Sequence, residues 1–145
     1  MEIYTIGFTQ KTAEEFFGLL KTHQIEVLVD VRLRPKGQLS GFTKQEDLQY
    51  FLKALIDCDY RHIPELAPTK EILNKYRQDK NWSNYERHFL QLLKDRNLLD
   101  QLDRSLFENH RCCLLCSEAK PDRCHRRLVA EYLADHWETV DIIHL

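Results

Sequence analysis

The sequence predicts a three-layer α/β domain: a mostly parallel sheet, helices on both faces, and a helical insertion before the last two strands. Three observations carry that expectation. Short apolar, β-branched runs alternate with longer stretches of helical apolar spacing, at the start of the chain and again at its end. Several of the runs are continuously apolar, as in strands covered on both faces. The length of 145 residues, 43% hydrophobic and 30% charged, suits one domain over residues 1–145, with a core that needs no disulfide staples.

Taken in order, "EIYTIG" reads as the first strand and ends at Gly7. Thr12 followed by Glu15 forms a capping box, which opens a helix packed through Phe16, Leu19 and Leu20. "EVLVDVR" is the second strand. Thr43 with Glu46 marks the next helix start, ahead of Leu48, Phe51, Leu52 and Leu55. A weaker strand passes through "DYRHI". Ser83 with Glu86 opens a helix carrying Tyr85, Phe89, Leu92 and Leu93, and a shorter one follows around Leu99, Leu102 and Leu106. The helices from Thr69 to Phe107 form the insertion. "RCCLLC" and "TVDIIHL" supply the last two strands. Between them lies a helix with Asp122 as N-cap, packed through Leu128, Val129, Tyr132 and Leu133.

Composition narrows the function classes. A net charge of −2 gives no global pull toward nucleic acid or an anionic membrane, although arginines cluster near Arg32 and Arg126. No run approaches the roughly 18 apolar residues of a membrane span. The opening "MEIYTIG" lacks the apolar core of a secretory signal. Five cysteines, two of them adjacent, do not make a disulfide framework, so a reduced, cytoplasmic setting is expected. There is no repeat, low-complexity tract or linker.

In open parallel sheets, ligands bind beyond the carboxyl ends of the strands. Those ends here are Gly7, the stretch Asp30 to Arg32, and the stretch Cys116 to Glu118. As a strand, "RCCLLC" places Cys112, Leu114 and Cys116 on one face and Cys113 with Leu115 on the other. Cys112 and Cys113 read as small core residues. Cys116 ends the strand, and the loop "SEAKPDR" leads to a helix whose first turn holds Cys124, His125 and Arg126. A helix N-terminus attracts anions and lowers the pKa of a nearby thiol, and three arginines in that turn oppose the macrodipole unless an anion compensates them. Asp30 and Arg32 point the same way. They form either an internal ion pair, or a hydroxyl-binding or basic carboxylate beside an anion-holding guanidinium.

Two motif readings fail on spacing. Zinc is not expected: Cys113 and Cys116 face opposite sides of a strand, and adjacent Cys124 and His125 should diverge by about 100° on a helix. Gly7 and Asp30 occupy the places of a dinucleotide fold's first glycine and ribose acid, but "GFTQKT" has one fingerprint glycine of three, so no nicotinamide cofactor is expected. Tyr4, Tyr60, His62, Trp82 and Tyr85 are aromatic side chains able to stack on bases, and are read as core or rim residues. A disulfide between Cys116 and Cys124 is geometrically open.

With "YTIGFT", "VLVDVRLRP", "YRHIPEL" and "LLCSEAKPDRCHRRLVAEYL" on the page, the chain resembles the domain-of-unknown-function 488 family from Ile3 to His144. The loop from Cys116 and Glu118 to Cys124-His125-Arg126 is the most specific part. The resemblance implies a Rossmann-like α/β fold and brings no settled reaction. Two departures stand out. Phe8 occupies the place where the family usually has histidine, and "ELAPT" stands where a Leu-Gly pair usually follows.

Three functions therefore remain in view. The first is an enzyme on a phosphate-bearing or nucleotide-like molecule, or a nucleic-acid end. In it Gly7, Arg32 and Arg126 bind the ligand, Asp30 orients a hydroxyl, Cys116 or Cys124 is the nucleophile, His125 shuttles a proton and Glu118 orients His125. The second is a non-catalytic nucleotide or nucleic-acid binder using the same arginines. The third is a thiol redox sensor. No cofactor and no membrane partner are expected.

Overall fold

The computed structural model describes residues 1–37 and 41–145. The chain runs β1 (Glu2–Gly7), α1 (Ala13–Thr22), β2 (Val27–Asp30), α2 (Gln45–Ile56), β3 (Asp59–His62), α3 (Lys70–Asp79) and α4 (Trp82–Asp95). It continues through α5 (Leu98–Gln101), α6 (Arg104–Asn109), β4 (Cys112–Cys116), α7 (His125–His136) and β5 (Asp141–His144). The five strands pair in the order β3-β2-β4-β1-β5, every pair parallel. This is the expected Rossmann-like three-layer architecture, with α3 to α6 as the insertion before β4.

Side-chain alternation divides the core as the strand period requires. Tyr4, Ile6, Leu28, Cys113 and Leu115 pack under α1 and α2. Ile3, Val27, Val29, Cys112, Leu114 and Cys116 face the opposite layer, against Phe89 and Leu93 of α4, Phe107 of α6 and Leu128, Val129 and Leu133 of α7. The β1–α1–β2 crossover runs over one face of the sheet and the β4–α7–β5 crossover over the other, in opposite directions from neighbouring strands. The carboxyl ends of β1 and β4, where Gly7 pairs with Cys116, are therefore the topological switch point.

The helix starts show which local signals the backbone uses. Thr12 caps α1 through its hydroxyl, which accepts from the Glu15 amide at 3.1 Å. The other two capping boxes are corrected. Thr43 lies in a short 3-10 turn, and α2 begins after Lys44. Ser83 sits inside α4, whose cap is Asn81, accepting from the Asn84 amide at 3.1 Å. Asp122 is displaced too, because α7 starts after Cys124 and the Asp122 carbonyl instead accepts from the Arg127 guanidinium. In each displaced case a neighbour, Lys44, Asn81 or Cys124, takes the extended cap conformation. The helix expected around Leu99 to Leu106 is broken into α5 and α6 by the extended backbone of Leu102 and Asp103.

Candidate functional site

Cys116 ends β4 facing the α4–α7 layer and is 5% exposed. Its Sγ lies 3.4 Å from His125 Nδ1. The other ring nitrogen, Nε2, is 2.6 Å from the backbone carbonyl of Val31. A carbonyl oxygen only accepts, so Nε2 carries the proton and Nδ1 turns toward the sulfur. The Val31 amide in turn donates to the Leu115 carbonyl at 3.1 Å, which fixes that oxygen on the sheet. The ring also packs edge-on to Phe89 at 5.7 Å. Cys116 and His125 are thereby held as a thiol–base pair, whose orienting partner is a main-chain oxygen. Glu118, expected in that orienting role, has an exposed side chain on the pocket wall, and its carbonyl accepts from Arg126 Nη1 at 2.6 Å.

Cys124 completes the cluster. It is the N-cap of α7, with φ −137° and ψ 138°, and its thiol lies beside that of Cys116. The donor atoms of Cys116, Cys124 and His125 all lie within 4.8 Å of one another. The divergence expected of neighbours on a helix does not arise, because Cys124 is extended and only His125 is helical. That corrects the argument from which a metal was not expected here. Two thiols and an imidazole are zinc-type donors, one short of the four that a structural zinc site uses.

Electrostatics separate the five thiols, all of them free. Burial pushes Cys58 and Cys112 up to about 12, and raises Cys113 and Cys124 well above the ordinary value. Burial opposes ionisation of Cys116 as well. There, hydrogen bonds from the Cys124 thiol and from the Ser117 and Glu118 amides, with the field of Arg126, outweigh it and hold the thiol below its usual range.

A pocket of about 610 Å³ opens over this cluster. Arg32, Glu118, Cys116, Cys124 and His125 all line it, so the structure brings most of the sequence-derived residues together. Arg32 is 3% exposed. Its Nε and Nη2 grip the Asp30 carboxylate at 2.9 and 2.7 Å, and Nη2 also donates to the Thr43 carbonyl at 2.8 Å. Nη1 has no hydrogen-bond partner among the described residues. The Phe8 ring centroid lies 5.4 Å from the guanidinium carbon. Asp30 stands behind this pair: fully buried, it accepts from Arg32 and from Tyr60 Oη at 2.6 Å. Those contacts occupy its carboxylate from within, leaving Arg32 as the group that faces the pocket.

Gly7 and Arg126 stand apart from the pocket lining. A Cβ on Gly7 would sit 1.6 Å from the Glu118 carbonyl oxygen, so the glycine is needed for close backbone packing. Arg126 is fully buried, with Nε on Thr5 Oγ1 at 3.3 Å and Nη1 on the Glu118 carbonyl.

The insertion contributes what sequence reasoning missed. Lys70, Arg77 and Lys80 line the far wall with Leu73 and Tyr76. Among the described residues α3 buries none of its side chains fully, Ile72, Leu73 and Tyr76 packing only partly against the core, and the cations spaced along the same stretch were the available signal. Trp82 and Tyr85, stacked at 4.9 Å, also reach the wall.

The fold and site thus define a class: parallel α/β proteins with a base-paired thiol at the carboxyl end of a central strand, beneath a cationic pocket. Residues 12–133 match the family described as Domain of unknown function DUF488, and the chain belongs to that family. No curated protein and no solved structure matched the chain. Among the described residues no helix is long and apolar enough to cross a membrane.

Proposed function

We propose that the protein is a cysteine-dependent hydrolase or transferase acting on a phosphate-bearing, nucleotide-like ligand. One observation carries the reading: Arg32, with a buried nitrogen that has no partner among the described residues, and the one thiol held below its usual range line the same pocket. Arg32 supplies the anion contact. The pocket carries six cations (Arg32, Arg34, Lys70, Arg77, Lys80 and Arg123) against one acid, Glu118, in a chain of net charge −2. That asymmetry favours a polyanion. Tyr76, Trp82 and Tyr85 offer an aromatic side for a base.

In the reaction, Cys116 Sγ forms a bond to the electrophilic atom of the ligand as the bond to the leaving group breaks. His125 Nδ1 takes the thiol proton and delivers it to the leaving group. Asp30 positions Arg32. Arg126 acts through its field on the sulfur. A strand end of a nucleic acid presents the same phosphate and base chemistry, and five free thiols support a reducing, cytoplasmic setting.

The test is calorimetric titration with inorganic phosphate, ADP and a short single-stranded oligonucleotide, alongside alkylation of Cys116 at pH 7. Expected are salt-sensitive binding, protection of Cys116 by the bound ligand, and a Cys116→Ser variant that binds but forms no thiol adduct. A Cys116 inert to alkylation with and without every ligand would remove the nucleophile. Intact binding with a reactive but dispensable Cys116 would leave a binding module.

A further inference from the structure

We propose that Cys116 and Cys124 form a reversible disulfide when the protein meets a hydroperoxide, so that oxidation closes the site without destroying its nucleophile. This rests on Cys116 being the reactive thiol. The geometry points to Cys124 as its resolving partner. Both sulfurs line the same pocket, so an oxidant that reaches one meets the other. They lie within 4.8 Å, and the extended cap backbone turns the Cys124 thiol onto Cys116. Residues 117–123 between them form neither helix nor strand, so the chain can draw the sulfurs to the S–S bond length of about 2.05 Å without breaking a regular element. The other three thiols are placed otherwise. Cys112 and Cys113 are fully buried within β4, and Cys58 is packed beside Leu52 and Leu28; none of the three lines the pocket.

The chemistry closes in two steps. The Cys116 sulfur attacks one peroxide oxygen: the S–O bond forms, the O–O bond breaks, and the peroxide is reduced to an alcohol or water while the sulfur becomes a sulfenic acid. Cys124, passing its proton to the adjacent His125, then attacks the Cys116 sulfur. The S–S bond forms, the S–O bond breaks, and water leaves with that proton. Two thiols and one hydroperoxide become one disulfide, one alcohol and one water. While the disulfide stands, Cys116 cannot attack a ligand. Dithiol reductants restore it.

The experiment treats the full chain with a few equivalents of hydrogen peroxide and reads intact mass, peptide map and free thiols. The wild type should lose about two daltons through a Cys116–Cys124 cross-link, fall from five free thiols to three, and recover all five with dithiothreitol. Cys124→Ser and Cys124→Ala, each checked for folding by circular dichroism, should instead gain about 16 daltons at Cys116, trapped by a sulfenic-acid reagent. With more peroxide they should pass irreversibly to the sulfinic acid. Wild type that hyperoxidises as readily as these variants, with no cross-link, overturns the proposal. A parallel alkylation of reduced wild type separates the two ideas. If Cys116 alkylates but never cross-links, the resolving role alone falls; if it neither alkylates nor oxidises, the nucleophile falls with it.

Discussion

Two arginines flank Cys116, both buried, and they live in opposite surroundings. Arg32 reaches the site from the end of β2, clamped by a carboxylate, with Nη1 left without a partner among the described residues. Arg126 comes from the first turn of α7 and donates to two neutral oxygens, one hydroxyl and one carbonyl, with Nη2 likewise lacking a partner among the described residues. Burying a cation is costly unless a negative charge balances it. For Arg32 the balance is Asp30, and it is permanent. Arg126 donates to no carboxylate among the described residues, and its field favours ionisation of the Cys116 thiol. A guanidinium with its own counter-ion is free to hold a ligand, whereas one without favours negative charge on the group that reacts.

The largest expected effect strips Arg32 of its counter-ion. Asp30→Ala leaves a buried, unpaired cation and should cost about 3–5 kcal/mol of stability, read as a lower urea midpoint. A cost below 1 kcal/mol would mean that Arg32 tolerates solitude as Arg126 does. Next comes Arg32→Lys, which keeps the charge but loses the fork. Ligand affinity should fall by about 1.5–3 kcal/mol, roughly tenfold to a hundredfold, in calorimetric titration with ADP. Arg126→Lys should leave that affinity unchanged, and an equal loss at both positions would erase the distinction.

Arg126→Met probes the other half. Removing the cation takes away one of the influences that hold Cys116 below its usual value, so the midpoint of its alkylation profile should move up in pH. The sign carries to stability. A thiol whose folded value is depressed contributes in full above the unfolded value, and the contribution disappears as pH falls through the folded one. Burial raises the other four thiols and works the opposite way, so the readout is the difference: the wild type's urea resistance relative to Arg126→Met should grow as pH rises toward the unfolded thiol value. An unmoved alkylation midpoint would detach Arg126 from the sulfur.

Much of the frame was legible because period-2 and period-3.6 patterns are written in side chains. The alternation of Cys112, Leu114 and Cys116 against Cys113 and Leu115 fell on the two core faces as read. The convergence of Arg32, Cys116 and His125 followed from strand ends alone. Backbone chemistry stayed hidden. The group that orients His125 is the Val31 carbonyl, which no residue name reports, rather than Glu118 in the loop ahead of α7. Gly7 reads from sequence as a ligand-binding strand end, while its missing Cβ serves the 117–118 loop. Cys124 and His125 were both given helical geometry because helix starts carry an uncertainty of a residue or two, and at a cap one residue changes where a thiol points.

The start of α7 carries one more consequence. Cys124, His125 and Arg126 are consecutive, yet one faces a sulfur, one bridges a sulfur to a strand end, and one burrows beneath the preceding loop. Each task is assigned by angular position, so the spacing of seven residues between the two cysteines acts as a length gauge. Adding or removing a single residue in that span, even one whose own side chain touches nothing, would deal the three tasks to the wrong side chains.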